Sequence, residues 1–72
     1  MQKKNLTIKE TFSLAVKNHQ KNNLQVAENL YQETLKMNPN HVDAHNNLGL
    51  IFGVLGEFKK AVGCYEKAIQ IN

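Results

Sequence analysis

Residues 41–56 read His41-Val42-Asp43-Ala44-His45-Asn46-Asn47-Leu48-Gly49-Leu50-Ile51-Phe52-Gly53-Val54-Leu55-Gly56, and this stretch decides the fold. Apolar residues run from Leu48 to Leu55, with Gly49 and Gly53 among them. Eight residues cannot cross a bilayer, which takes about 20 in a helix. Asp43 suits the first turn of a helix, where a negative charge meets the positive end of the helix dipole. Asn40 is the expected N-cap. Gly56 supplies the left-handed stop. A second helix follows, with Phe58, Ala61, Val62, Tyr65, Ala68 and Ile69 on one face.

Sliding the sequence by 34 residues brings this region onto the first half of the chain. Leu14 meets Leu48, Ala27 meets Ala61, Tyr31 meets Tyr65 and Asn38 meets Asn72. Ile8 meets Val42, Ala15 meets Gly49, Val16 meets Leu50, Leu24 meets Phe58 and Leu35 meets Ile69. The matches fall on apolar and small sites, as a repeated packing unit requires. In the first half, Thr7-Ile8-Lys9-Glu10 is a capping box opening a helix. That helix stops near Lys21-Asn22-Asn23, because Asn tolerates the left-handed conformation that ends helices. Leu24, Ala27, Leu30, Tyr31 and Leu35 mark the next helix, and Pro39 ends it. No segment alternates with period 2 over a useful length, so the fold class is all-α.

Composition sets limits. The 72 residues are 42% hydrophobic and 21% charged, which describes a globular chain too short for more than one small domain. Cys64 is the single cysteine, so no disulfide forms within the chain. The N-terminus starts like a signal peptide, but Lys9 and Glu10 interrupt its apolar segment, and a cytoplasmic location is the default expectation. The net charge of +3 lies wholly in residues 1–38, which hold six Lys and three Glu. Lys3 and Lys4 supply part of it at the extreme end. The chain has no arginine, the residue that grips guanine and phosphate bidentately, and no basic stripe. A nucleic-acid partner is not expected, and neither is a membrane.

The second half reads His45-x2-Leu48-Gly49-x2-Phe52, then Ala61-x3-Tyr65, then Ala68. The first reads Thr11-x2-Leu14-Ala15-x2-Asn18, then Ala27-x3-Tyr31, then Thr34 and Pro39. Two such units in register at 34 resemble the tetratricopeptide repeat. The resemblance implies two antiparallel helix-turn-helix hairpins stacked as a short right-handed α-solenoid. It divides the chain into a lead at 1–7, a first repeat at 8–41 and a second at 42–72, the last stopping before a Pro that would match Pro39. Thr11 and Asn18 depart from the large and aromatic residues usual at their sites, as suits an end repeat whose outer face meets water. Small residues at Ala15/Gly49, Ala27/Ala61 and Thr34/Ala68 allow close helix approach. Leu14/Leu48, Leu24/Phe58 and Tyr31/Tyr65 are expected to fill the gaps beside them.

No catalytic constellation stands out. Cys64 has no histidine within a helical turn, and a packing role at a repeat junction outweighs a nucleophilic one. His41 and His45 are four apart, but two ligands do not make a zinc site. Glu10, Asp43 and Glu57 are first-turn charges rather than an acid–base pair. Gly53-x2-Gly56 has neither the preceding strand nor the Lys of a phosphate loop. The chain is expected to be no enzyme and to need no cofactor.

The remaining candidate is a surface. The resemblance implies a concave groove for an extended peptide or partner helix, lined in the first unit by Lys9, Phe12, Val16, His19 and Gln20. Their counterparts in the second are Asp43, Asn46, Leu50, Gly53 and Val54, with Asn47 beside them. Phe12, Val16 and Asn46 are the stronger candidates, because Leu50 and Val54 also suit packing on a following repeat. Phe12 and Val16 stand where relatives that capture chaperone tails begin a polar clamp, which argues against that ligand. Two alternatives remain open at this point. The chain is the N-terminal scaffold of a larger glycosyl- or sulfotransferase-type enzyme, of the kind that bacterial-looking arrays precede. Or it is a structural piece that self-associates through its last helix, with marginal stability on its own.

Overall fold

The computed structural model describes residues 5–71. Lys3, Lys4, most of the expected lead and the Asn38/Asn72 match at its second member lie outside them. Four helices follow one another: α1 (Ile8–Gln20), α2 (Leu24–Met37), α3 (Val42–Val54) and α4 (Phe58–Ile71). There is no strand among the described residues. Helices α1 and α2 form one hairpin, α3 and α4 a second, and α2 packs on α3 to join them. The stack measures 42 × 26 × 16 Å, the slab expected of hairpins laid side by side.

Local chemistry accounts for the helix boundaries. The Thr7 hydroxyl accepts the Glu10 N–H at 3.1 Å, and the Glu10 carboxylate accepts the Thr7 N–H at 2.9 Å. Two otherwise unpaired donors are thereby satisfied. Both hairpin turns use the same left-handed stop. Asn22 (φ 65°) and Gly56 (φ 77°) take the αL position. The next residue then donates backward in each case, Asn23 to the Asn18 carbonyl and Glu57 to the Phe52 carbonyl, both at 2.8 Å. This is a Schellman closure repeated 34 residues apart. One boundary differs from expectation. Asn40 does not cap α3; its N–H donates to the Asn38 side chain at 3.0 Å in a tight turn. His41 is the N-cap, its Nδ1 accepting the Ala44 N–H at 3.1 Å.

The core follows the small-and-large plan. Ala15, Ala27, Tyr31, Ala44 and Ile51 are fully buried. Thr11 and Thr34 are buried as well, and their hydroxyls donate to carbonyls one turn back in their own helices, at 2.9 and 2.8 Å. A buried hydroxyl thus leaves nothing unpaired. Three expected gap-fillers differ from this plan. Leu14, Phe58 and Tyr65 are exposed. Their counterparts Leu48, Leu24 and Tyr31 are buried or half-buried because the neighbouring hairpin lies against them. Among the described residues nothing lies outside α1 or α4 to do the same.

Candidate peptide-binding face

The stripe on α1 and α3 is held together at one aromatic junction. Phe12 of α1 packs at a tilt against the His41 ring, centroids 4.6 Å apart, and against the Tyr31 ring of α2 at 5.8 Å. His19 meets the Tyr31 ring edge-on at 5.7 Å, and its Nδ1 is 3.0 Å from the Tyr31 hydroxyl. Burial pushes the Tyr31 phenol pKa up, and a polar contact from Asn47 of α3 partly opposes that shift. Tyr31 is therefore the fully buried pin on which both hairpins close. Phe12 and His41 carry the contact from α1 to the start of α3.

The stripe residues fall into two groups. Phe12, Val16, His19, Asn46, Asn47 and Gly53 are half-buried, and Phe12 and Val16 pack directly against the core. Lys9, Gln20, Asp43, Leu50 and Val54 are exposed. The face thus has an apolar-and-amide floor and an outer set of groups open to solvent, with Lys9 and Asp43 giving charges of opposite sign. Three shallow hollows lie away from it. They are lined by Leu6, Glu10, Ser13, Leu14 and Lys17; by Leu6, Thr11, Leu30 and Met37 among others; and by residues 56–60.

The residues weighed for other chemistry are engaged elsewhere. The His45 Nε2 is 2.8 Å from the Pro39 carbonyl, holding the turn before α3, while His41 caps that helix. Cys64 is half-buried against the core, and burial pushes its thiol pKa up, which disfavours the reactive thiolate. Glu57 pairs with Lys60 at 2.9 Å on the surface. Sequence reasoning overlooked the joint role of Phe12, His41, His19 and Tyr31. Their spacings of 7, 12 and 29 residues give no periodic signal.

Two helical hairpins stacked through α2 and α3 make a short α-solenoid. The tetratricopeptide repeat family model matches residues 42–72, the α3–α4 hairpin. An uncharacterized protein, ycf37 of Pyropia yezoensis, is 41% identical over 46 residues, which cover 64% of this chain and 26% of that protein. The chain therefore spans about a quarter of the length of this curated relative. No helix among the described residues is long and apolar enough to cross a membrane.

Proposed function

We propose that the chain binds a protein segment, as an extended peptide or a short helix, along the α1–α3 face, and that it acts by binding rather than by catalysis. A tetratricopeptide repeat is a protein-interaction unit, which supports the general reading. The observation that carries the particular face is the Phe12–His41 contact, which brings α1 to the start of α3 and supports reading their exposed sides as one surface. Leu50 and Val54 offer apolar contact there, and the Asn46 and Asn47 amides offer hydrogen bonds to a peptide backbone. Lys9 and Asp43 set the direction of a polar ligand.

A peptide array probed with the 72-residue chain tests this. Peptides it selects should bind at least fivefold more weakly to Asn46→Ala and Leu50→Ala, each loss equivalent to about 1 kcal/mol. Met37→Ala, exposed on α2, should bind as the parent does. Selected peptides that ignore both α3 changes and lose affinity with Met37→Ala place the site elsewhere. Phe12→Ala is a poor probe, since Phe12 also joins the hairpins.

A further inference from the structure

A different surface carries its own pattern. Leu55, Phe58, Val62, Tyr65 and Ile69 follow one another at spacings of 3, 4, 3 and 4. On α4 this is a short heptad seam, with Val62 and Ile69 at one core position and Phe58 and Tyr65 at the other; Leu55, the C-cap of α3 across the Gly56 turn, adjoins it. Every member is exposed, at 44, 69, 52, 36 and 73% respectively. The buried face of α4, through Ala61 and Ala68, lies to one side of this seam. Contiguous apolar surface of this kind marks an interaction site.

The internal repeat gives the comparison. The counterparts in α2 of the four helical seam residues are Leu24, Glu28, Tyr31 and Leu35, all buried or half-buried beside the second hairpin. Glu28 interrupts the seam there. In α4 that site is Val62, and the seam is continuous. Stacking a further hairpin therefore does not require the valine.

The repeat also excludes one mode of pairing. A second copy stacked head to tail would bring its α1 to this face, as α3 is brought to the first hairpin. Ala44 and Ile51, both fully buried in α3, are matched in α1 by Glu10 and Lys17. Such a dimer would bury a carboxylate and an ammonium where α3 places two apolar side chains, which is unfavourable.

We propose that the seam of α4 pairs with the α4 seam of a second copy, antiparallel about a two-fold axis between Val62 and Tyr65. Phe58 then lies opposite the partner's Ile69, and Val62 opposite the partner's Tyr65. Charge sets the direction. Lys59 and Glu66, both exposed, flank the seam on one side. Antiparallel pairing brings Lys59 beside the partner's Glu66, whereas parallel pairing sets Glu66 against the partner's Ala61 and forms no such ion pair. The pairing is isologous and closes at two.

Sedimentation equilibrium of the 72-residue chain tests this, with circular dichroism reporting that each variant stays helical. The expected result is a monomer–dimer equilibrium, with dissociation in the micromolar range. Val62→Glu copies Glu28 and should weaken dimerisation at least tenfold; Ile69→Gln, at the most exposed position, should act likewise. Lys59→Glu should weaken it several-fold, and Lys59→Glu combined with Glu66→Lys should restore it. A chain that stays monomeric to millimolar concentration, or grows beyond a dimer, overturns the proposal. So does a dimer indifferent to Val62→Glu and Ile69→Gln, or a charge swap that fails to restore it.

Discussion

Replacing Gly49 measures how closely α3 and α4 approach. A methyl group at Gly49 would lie 2.8 Å from Cε1 of Tyr65, 3.0 Å from Cζ and 3.1 Å from Cδ1. Those contacts require the ring to move. The first hairpin shows the accommodated arrangement, with Ala15 in the equivalent place beside a fully buried Tyr31. Tyr65 is 36% exposed, so its ring has room to swing outward. Alanine also recovers about 1 kcal/mol of helix propensity that glycine forgoes. Gly49→Ala should therefore stabilise the chain slightly, by about 0.5 kcal/mol once the ring has shifted. Gly49→Leu is another matter. It adds three further carbons at a buried position and pushes the aromatic ring off α3, at about 3 kcal/mol. For a domain of this size that lowers the melting midpoint by roughly 10–20 °C and unfolds the second hairpin first. Urea and thermal melts followed by far-UV circular dichroism read both values. Tyr65→Ala in the Gly49→Leu background should recover at least 1 kcal/mol, a coupling that distant sites do not show. A Gly49→Leu chain that melts like the parent would refute the close approach. A Gly49→Ala chain as damaged as Gly49→Leu would refute the outward swing of Tyr65.

Two further outcomes follow, one from the junction and one from burial. His41→Ala should destabilise by about 2 kcal/mol, combining a lost N-cap with a lost ring contact to Phe12, whereas His41→Asn keeps the cap and should recover about half, both read from urea midpoints. Alkaline pH should also destabilise the chain. Cys64 and Tyr31 have pKa values raised by burial, so the folded state holds these protons longer than the unfolded chain does. Their contribution is whole below the ordinary thiol value and is lost as pH rises through the folded values. Cys64→Ala and Tyr31→Phe should each flatten the decline in melting midpoint above about pH 9.

Helix order, both turns and the hairpin pairing were legible in the sequence because each rests on local chemistry. Thr7 and Glu10 cap each other three residues apart, and Asn22 and Gly56 each end a helix by their own backbone freedom. The α3 cap was read one residue early for an equally local reason. Asn40 is the better capping residue by type, but the turn after Pro39 engages its N–H with Asn38 and leaves His41 at the helix start. Residue type ranks candidates for a cap, whereas chain direction after a proline selects among them.

Burial was less legible, because it depends on what lies alongside. Tyr31 and Tyr65 occupy the same place in their repeats, yet one is fully buried and the other is exposed. The periodic pattern is identical; the difference is the second hairpin, which covers α2. The same ambiguity touches the candidate face. Phe12 and Val16 have the spacing of groove residues, and they also have the spacing of residues that a following hairpin rests on. The Phe12–His41 contact shows that Phe12 does the second. Any ligand on this face must therefore meet α1 chiefly through Lys9 and Gln20, and α3 through Leu50 and Val54, which remain exposed. Affinity should then depend on α3 substitutions without loss of stability, while α1 substitutions in the floor should change affinity and stability together.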